Sequence, residues 1–236
     1  MDAQAIASLS NVTKTYRQGK VQITALDGVS LDVPQGDFMA LAGPSGSGKT
    51  TLLNLIGGLD RADSGSIRLN GNDLGAMSES DLAGMRLHRV GFVFQSYNLI
   101  PVLSAEENVE YVMLLQGVGA RERREKARAI LDDVGLEGLY GRRPAELSGG
   151  QQQRVAVARA VVSGPSIVLA DEPTANLDSN TGRSLMDMMR SMNETKGVTF
   201  VFSTHDRMVM EYAERLVRIR DGRVAGEERR EGGAGS

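Results

Sequence analysis

One eight-residue segment, GPSGSGKT at 43–50, constrains the fold of this chain more than any other feature. It follows the apolar run FMALAG and precedes TTLLNLIGG, so it connects a predicted strand to a predicted helix, as a phosphate-binding loop does. In such a loop, glycines let backbone N–H groups turn toward phosphate oxygens, and the helix adds its positive N-terminal end. We therefore expect a nucleotide here, with Lys49 reaching the β- and γ-phosphates and the Thr50 hydroxyl placed to bind Mg²⁺. The predicted nucleotide-binding residues of this region are Gly43, Ser45, Gly46, Ser47, Gly48, Lys49, Thr50 and Thr51.

Four short apolar runs indicate strands that are buried on both faces. They are FMALAG (38–43), VGFVF (90–94), SIVLAD (166–171) and VTFVFSTH (198–205). Their hydrophobicity is nearly continuous rather than alternating, which is typical of a parallel sheet covered by helices. Because helical patterns separate the runs, the sequence predicts an α/β fold.

Polar residues stand at the ends of three of these runs. Asp171 ends one run and Glu172 directly follows it, Gln95 follows another, and His205 ends the last. Ligands of open α/β sheets bind at the carboxyl ends of the strands, so these side chains are expected to converge on Lys49. Asp171 would then be an indirect partner of Mg²⁺, and Glu172 would orient or deprotonate a water for attack on the γ-phosphate. The alternative is a strand that simply ends in two solvated acids.

The N-terminal region has a different pattern, which is rich in β-forming residues. ASLSNVTKTYRQ and VQITALDGVSLDV predict an antiparallel hairpin, and SGSIRLNG (64–71) predicts another strand of the same small sheet. A further hairpin is predicted over 216–224, with its turn at Asp221-Gly222. Tyr16 is either an exposed platform for an adenine ring or a residue that packs across the first hairpin.

The composition excludes several classes of protein. A length of 236 residues suits one large α/β domain or two small ones. The formal net charge of −3 argues against a strongly basic nucleic-acid binder, and the absence of cysteine excludes disulfides and thiolate metal sites. The sequence shows neither a secretory signal nor an apolar stretch long enough to cross a bilayer, so another chain is expected to make any membrane crossing. Residues 96–160 are expected to form a helical lobe, and the polar, glycine-rich residues 227–236 a disordered tail.

Several of these motifs occur together in a known family. GPSGSGKT, Gln95, LSGGQ (147–151), IVLADE (167–172), NLD (176–178) and His205 follow the order and spacing of an ATP-binding cassette (ABC) ATPase. The chain resembles this family over roughly residues 5–226, and LSGGQ between a phosphate-binding loop and an acid-ended strand is very specific to it. The resemblance implies a P-loop NTPase fold with a mainly parallel core sheet, an antiparallel β lobe and an inserted α-helical lobe. We expect one such domain over residues 1–226.

The resemblance also implies roles for individual residues. It assigns Tyr16 to stacking on adenine, Glu172 to the catalytic base, and His205 to a contact with the γ-phosphate. Gln95 is assigned to the loop that senses Mg²⁺ and the partner, so the implied catalytic residues are Glu172, His205 and Gln95. The implied metal-binding residues are Thr50, Gln95 and Asp171.

A second glycine-rich helix start, within ELSGGQQQR (146–154), predicts a dimer. ABC family members act as dimers, and Ser148 and Gly150 offer a hydroxyl, free N–H groups and a positive helix end. The phosphate-binding loop already surrounds its own phosphates, so the expected target is the γ-phosphate of an ATP held by a second copy. The residues assigned to this contact are Ser148, Gly149, Gly150 and Gln151. Asp178 is assigned to the loop that crosses between the copies, where Asn176 departs from the commoner serine or alanine.

Within the family, the chain looks most like the MacB/LolD/FtsE branch. The stretches that carry this resemblance are GFVFQSYNLIPVLSAEENVE, LSGGQQQRVAVARA and LADEPTANLDSNTG. The resemblance implies a peripheral ATPase on the cytoplasmic face of the bacterial inner membrane, with ATP and Mg²⁺ as cofactors. Its homodimer would drive a membrane permease with an extracytoplasmic domain, in macrolide efflux, lipoprotein release or mechanotransmission. No nucleic-acid partner is expected.

Other functions stay open at this level. An FtsE-like module would regulate a membrane complex through its ATP cycle without transporting a substrate. ABC ATPases that act on DNA or ribosomes usually carry coiled-coil insertions or two cassettes in tandem, and this sequence shows neither. The apolar stretch at 97–103 either packs inside the helical lobe or forms a groove for a cytoplasmic helix of a membrane partner.

Overall fold

The computed structural model describes residues 5–19 and 21–230, which alternate between strands and helices. The strands are β1 (Ala5–Gln18), β2 (Val21–Pro34), β3 (Phe38–Ala42), β4 (Ser64–Leu69), β5 (Asn72–Asp73), β6 (Val90–Val93), β7 (Ile167–Asp171), β8 (Phe200–Thr204), β9 (Arg215–Arg220) and β10 (Arg223–Arg229). The helices are α1 (Lys49–Ile56), α2 (Glu79–Arg89), α3 (Ala105–Leu115), α4 (Ala120–Asp133), α5 (Gly149–Val161), α6 (Ser179–Lys196) and α7 (Arg207–Tyr212).

A six-stranded sheet in the order β10-β9-β3-β8-β7-β6 forms the centre of the fold. The strands from β9 to β6 run parallel to one another, and β10 returns antiparallel beside β9. The four apolar runs of the sequence are therefore neighbouring parallel strands, as predicted. Their carboxyl ends lie at one edge of the sheet, which is where the predicted catalytic residues follow them.

A smaller antiparallel sheet contains the N-terminal hairpin. β1 pairs with β2 along its length, with Tyr16 opposite Ile23, and β4 pairs with the other edge of β1. The predicted second hairpin is formed by β9 and β10. Its turn residues Asp221 and Gly222 have φ values of 50° and 74°, as a two-residue turn between antiparallel strands requires.

Two hydrophobic clusters cover the two faces of the central sheet. Successive residues of a strand point to opposite faces, so Phe38 belongs to one cluster and Met39 to the other. In the first cluster, the ring of Phe38 meets that of Phe202 edge-on, with centroids 4.7 Å apart. The second cluster joins the sheet to α1, α2 and the small antiparallel sheet.

The predicted helical region at 96–160 contains α3, α4 and α5. Ser104 and Ser148 begin α3 and α5, and each forms a reciprocal capping box with the residue three positions later. These helices do not have a hydrophobic core apart from the sheet. Met113 and Leu131 belong to the same cluster as Phe38, so the helical region packs directly on one face of the sheet.

The end of the described chain corrects one prediction. Residues 227–229, which the sequence places in a disordered tail, continue β10 and pair with β9. Arg215 and Arg218 of β9 form ion pairs with Glu227 and Glu228, so charge pairing supports these residues despite their polarity. Residues 231–236 of the predicted tail and residues 1–4 of the predicted domain lie outside the described residues. No helix among residues 5–19 and 21–230 is long and apolar enough to cross a bilayer.

Candidate functional site

The loop between β3 and α1 leaves no room for side chains at two of its glycines. A Cβ on Gly43 would lie 2.1 Å from the backbone oxygen of Ile219, and a Cβ on Gly48 would lie 2.4 Å from that of Ala25. Gly46 and Gly48 also have φ values of 78° and 105°, which residues with a side chain rarely adopt. The predicted glycine-rich turn is therefore required by the packing around it.

Lys49 and the first turn of α1 present positive charge to this loop. The Lys49 side chain is buried, and its Nζ donates to the backbone oxygens of Gly43 at 2.7 Å and Pro44 at 3.0 Å. Gly48 precedes α1 and supplies no side-chain cap, so the first N–H groups of the helix keep their capacity to bind an anion. α4 likewise begins after a glycine, Gly119, without a side-chain cap, whereas the other five helices have caps from Ser78, Ser104, Ser148, Asp178 and Asp206.

Ser47 connects the phosphate-binding loop to the turn between β9 and β10. Its side chain is buried, and its Oγ has no hydrogen-bond partner among the described residues. Its backbone oxygen accepts a hydrogen bond of 3.1 Å from the amide of Gly222. The loop therefore rests on the turn between β9 and β10.

Thr50 and Asp171 meet where α1 faces the end of β7. The Thr50 Oγ1 lies 3.1 Å from both carboxylate oxygens of Asp171. A hydroxyl and a carboxylate are oxygen ligands of the kind that Mg²⁺ prefers, so these two residues fit the predicted metal ion. Gln95 follows β6 at the same edge, and its backbone oxygen accepts a hydrogen bond of 2.8 Å from the Asn176 side chain.

Glu172 and His205 form a close pair at the same edge. The Glu172 Oε1 lies 2.6 Å from the His205 Nδ1, and its Oε2 accepts a hydrogen bond of 3.3 Å from the Thr204 hydroxyl. Glu172 has a φ of 47°, a value uncommon for a residue with a side chain, and its amide donates to the Ser203 backbone oxygen at 2.9 Å. The adjacent strand β8 thus fixes the position of this carboxylate.

Two charged residues hold Tyr16 in place, Lys14 of β1 and Asp60 of the segment after α1. Its hydroxyl donates to the Asp60 Oδ2 at 2.7 Å, and the Lys14 Nζ lies 5.1 Å from the centre of its ring. Lys14 also donates to the Asp60 Oδ1 at 2.7 Å. Burial raises the pKa of Tyr16, and the hydrogen bond to Asp60 raises it further. Burial also acts to raise the pKa of Asp60, but hydrogen bonds from Lys14, Tyr16 and the Arg61 amide outweigh it and hold this pKa below its ordinary value.

One cavity of about 300 Å³ brings most of the predicted nucleotide-binding residues together. Its lining residues are Tyr16, Ile23, Thr24, Ala25, Ser45, Gly46, Gly48, Lys49, Thr50, Thr51 and Glu172. Asp171 and His205 do not line the cavity but contact residues that do, Thr50 and Glu172 respectively. An aromatic ring, a buried lysine and an uncapped helix start that line one cavity are the groups that a nucleoside phosphate requires.

The structure does not bring the second glycine-rich segment into this cavity. Ser148 caps α5 by accepting from the Gln151 amide at 3.3 Å, and Gln151 Oε1 accepts from the Ser148 amide at 2.9 Å. A Cβ on Gly149 would lie 2.9 Å from the Tyr97 hydroxyl, and a Cβ on Gly150 would lie 2.4 Å from the Thr181 Cγ2. Close packing within this chain is thus one reason for these glycines, which sequence reasoning attributed to a partner nucleotide alone.

Asp178 lies at the start of α6 and is exposed. Its carboxylate accepts hydrogen bonds from the Asn180 amide at 3.0 Å and from the Thr181 amide at 3.1 Å. The Thr181 hydroxyl donates to it at 2.6 Å, and these bonds from Thr181 hold the pKa of Asp178 below its ordinary value. The predicted dimer loop is therefore a helix cap in the single chain.

Two residues that sequence reasoning missed connect α5 to the loops of the site. Gln153 is fully buried, and its Nε2 donates to the Pro173 backbone oxygen at 2.8 Å. Arg159 donates to the backbone oxygens of Asn98 at 2.5 Å and Tyr97 at 2.9 Å, and burial lowers its pKa. Both side chains look like ordinary polar helix positions in the sequence, so no local signal identifies them.

The comparisons with known proteins now decide the family. A sequence profile of the ABC transporter family matches residues 26–175. An uncharacterized ABC transporter ATP-binding protein of Thermotoga maritima is 47% identical over 225 residues, which are 95% of this chain and 96% of that protein. The chain belongs to the ABC transporter family. As an ATP-binding cassette of this family, it binds and hydrolyses ATP.

Other relatives agree with this assignment. Two solved structures of the ABC cassette MJ0796 from Methanocaldococcus jannaschii have TM-scores of 0.88 and 0.89, at 43% identity over 96% of this chain and 99% of that one. Both are dimeric, and one is in a post-hydrolysis state bound to ADP and Pi. The macrolide export ATP-binding/permease protein MacB of Syntrophobacter fumaroxidans is 47% identical over 92% of this chain. The cassette spans 31% of the length of that MacB.

An apolar groove of about 380 Å³ lies beside β6, between α2 and α5. Its lining residues are Leu59, Arg86, Leu87, Val90, Gly91, Phe92, Phe94, Asn98, Val112, Arg159, Ala160 and Ser163. The apolar stretch at 97–103 was expected either to pack inside the helical lobe or to form a groove for a partner helix, and its residues are divided between these two environments. Leu99 packs against the hydrophobic cluster under the helices, Asn98 lines the groove, and Val102 is 72% exposed.

Proposed function

We propose that this cassette is the ATP-hydrolysing subunit of a bacterial membrane complex of the MacB/LolD type. In this proposal, ATP-driven closure of two copies acts on an integral-membrane permease at the cytoplasmic face of the inner membrane. The observation that carries the proposal is the position of the apolar groove. Asn98 lines the groove and lies three residues after Gln95, so an occupant of the groove would contact the loop that begins beside the ATP site.

The geometry of the ATP site supports the roles that we propose for its residues. Tyr16 stacks on the adenine, and the N–H groups from Ser45 to Thr51 with Lys49 bind the phosphates. Thr50 and Asp171 would hold Mg²⁺, with Gln95 as the third proposed ligand, and the bound ion would supply positive charge beside the phosphates. Gln95 follows β6 at the same edge of the sheet.

Glu172 is the proposed general base. Its carboxylate lines the cavity and is oriented by Thr204 and His205 from β8 and the residue after it. A carboxylate that lines the nucleotide cavity can accept the proton of an attacking water there. His205 also remains the proposed contact to the γ-phosphate, because it lies beside Glu172 at the open edge of the sheet.

The second copy completes each site in this proposal. Ser148, Gly149, Gly150 and Gln151 lie outside the cavity of their own chain, so a nucleotide that they contact must be held by another copy. Asp178 lies in the loop that meets that copy. The dimeric MJ0796 cassettes support this arrangement, since they share the fold of this chain over nearly its whole length.

The permease is proposed from the groove and from the relatives. MacB carries an ATP-binding part and a permease part under one name, and this chain is similar to it over about a third of the MacB length. An apolar groove whose lining includes two arginines suits a short amphipathic helix, which a permease would present from the membrane. Arg86 and Arg159 supply positive charge at the groove. We propose a permease with an extracytoplasmic domain, as in the MacB-like branch.

The test is co-purification from detergent-solubilised membranes of the source cells. The tagged parent cassette should retain one integral-membrane protein, which mass spectrometry identifies. Leu59→Glu places a charge at a half-exposed position that lines the groove, so the retained protein should fall by about tenfold or more. Val21→Glu is the matched control, because Val21 is an exposed apolar residue outside the groove lining. Equal retention by the Leu59 variant and the parent would contradict the groove as the docking site.

A further inference from the structure

The start of α5, defined here as Ser148–Gln151, is packed against the loop that follows Gln95 and against the first turn of α6 in the same chain. There is no space for a Cβ between Gly149 and the Tyr97 hydroxyl, or between Gly150 and the Thr181 methyl group. Tyr97 lies two residues after Gln95, and the Thr181 hydroxyl donates a hydrogen bond to the Asp178 carboxylate. The start of α5 therefore packs directly on these two side chains, and a displacement of α5 changes its contacts with both.

Gln153 extends this contact by one helical turn. It lies three and four residues after Gly150 and Gly149, and therefore on the same face of α5. Its side chain is fully buried, and its Nε2 donates to the backbone oxygen of Pro173 at 2.8 Å. Pro173 directly follows Glu172, so one hydrogen bond separates α5 from the residue beside the proposed base.

The other end of the same amide argues against a role in stability alone. The Gln153 Oε1 is buried and has no hydrogen-bond partner among the described residues. A buried acceptor without a partner destabilises a fold, and an apolar side chain of similar size would avoid that penalty. Packing needs only the volume of this residue, whereas the bond to Pro173 needs an amide.

Glu172 is sensitive to small shifts in this loop. Its φ of 47° is a conformation that the surroundings must impose, and its amide is tied to the Ser203 backbone oxygen at 2.9 Å. The loop is therefore anchored to β8 on the Glu172 side and to α5 on the Pro173 side. A movement of α5 relative to β8 changes the orientation of the carboxylate between them.

We propose that Gln153 is a positioning residue that transmits displacement of the start of α5 to Glu172 of the same chain. This inference rests on the proposed contact between the start of α5 and the ATP of a second copy. When that contact forms, α5 moves, and the bond from Gln153 to Pro173 brings Glu172 of its own chain into position. ATP bound in one site thereby promotes hydrolysis in the other, and the coupling is reciprocal because the dimer is symmetric.

The experiment compares two variants that each lose a buried side-chain amide. Gln153→Met keeps the size of the side chain and removes its bond to Pro173. Asn193→Leu is the matched control, since the buried Asn193 amide donates to the Gly36 and Val198 backbone oxygens, each at 2.8 Å, at the far end of α6. Steady-state ATPase activity is measured against ATP concentration, together with the Tm. A second variant, Gln153→Asn, keeps an amide that is too short to reach Pro173 and serves if the methionine variant does not fold.

We expect the Gln153 variants to lose about tenfold in kcat with KM within about twofold of the parent, because the base is misplaced while ATP still binds. Their Hill coefficient should fall to about 1 from a parent value above 1. Asn193→Leu should lower the Tm and keep the parent kcat and Hill coefficient. If Gln153→Met keeps the parent kcat and cooperativity, the proposed link from Gln153 to Glu172 is wrong, while the two-copy ATP site still stands. An equal loss of kcat in Asn193→Leu would have the same meaning. A parent Hill coefficient of 1 would overturn the proposed two-copy site together with the link.

Discussion

Replacement of Asp60 by asparagine tests how the adenine end of the site is built. The Asp60 carboxylate accepts hydrogen bonds of 2.7 Å from Lys14, from the Tyr16 hydroxyl and from the Arg61 amide. Asparagine has the same shape but only one oxygen, and its nitrogen is a donor. At least one of the three donors therefore loses its partner, and Lys14 loses its closest counter-charge.

The cost can be worked from the exposure of the pair. The Lys14 side chain is 11% exposed and that of Asp60 is 30% exposed. A hydrogen bond to a charged group contributes about 1.5–3 kcal/mol when buried, and the partial exposure of Asp60 reduces this to about 1–2 kcal/mol. For a chain of this size, each kcal/mol corresponds to about 2–4 °C in Tm, so Asp60→Asn should lower the Tm by about 2–8 °C.

The same variant predicts a dependence on pH. The pKa of Asp60 in the folded chain lies below the ordinary value of 3.8, so the unfolded chain binds a proton first as the pH falls. The stability that Asp60 contributes is full above the unfolded pKa and is lost as the pH falls through the folded pKa. The difference in Tm between parent and variant should therefore stay constant down to about pH 5 and shrink as the pH falls through 3.8 and below. A constant difference would show that the charge of Asp60 is not its cause.

Steady-state kinetics give the functional result. A less well oriented Tyr16 ring weakens ATP binding but does not touch the γ-phosphate, so KM should rise by about three- to tenfold with kcat nearly unchanged. Tyr16→Phe is the control, because it removes the hydrogen bond to Asp60 but keeps the aromatic ring and the ion pair between Lys14 and Asp60. It should raise KM less than Asp60→Asn. An unchanged KM and Tm in Asp60→Asn would refute the idea that Asp60 orients the ring.

Two further variants test the chemistry and the dimer. Glu172→Gln should keep ATP affinity within about twofold and lower turnover by about a hundredfold or more, because the general base is lost. Glu211→Gln, at an exposed position of α7, is the control and should keep the parent turnover. Near-normal turnover of Glu172→Gln would contradict the role of Glu172 as general base. Ser148→Arg should bind ATP like the parent and fail to dimerise with it in size-exclusion chromatography, because a long side chain occupies the start of α5. Full ATP-driven dimerisation of this variant would contradict the two-copy site.

The sequence predicted those parts of the structure that depend on strong local patterns. Continuous apolar runs identified the parallel strands, and Asp221-Gly222 identified the turn between β9 and β10. The helix α2 was missed because only Leu82 and Met85 among its residues are buried, which leaves little periodicity to detect. Ser78 and Asp81 did offer a capping signal at its start.

The connections between loops of the site were beyond prediction for a different reason. Gln153 and Asn108 are glutamine and asparagine on helices, a pattern typical of exposed positions, yet both are fully buried. Each binds backbone oxygens of a loop that is distant or irregular, as Asn108 does for Ile100 and Leu103. Such bonds depend on how the helices pack in three dimensions, and no local period encodes them. The second role of Gly150, close packing on Thr181, was missed for the same reason.

The ATP site depends on parts of the chain that are synthesised far apart in time. β3, which leads into the phosphate-binding loop, lies between β8 and β9, and the loop itself rests on Ile219 and on the amide of Gly222. A ribosome therefore makes Lys49 long before it makes the residues that hold the loop in shape. Because non-local pairing must precede closure of the loop, the nascent cassette cannot form this site until β9 has left the ribosome. A truncated translation product that ends before β9 thus has the phosphate-binding sequence without the support that shapes its loop.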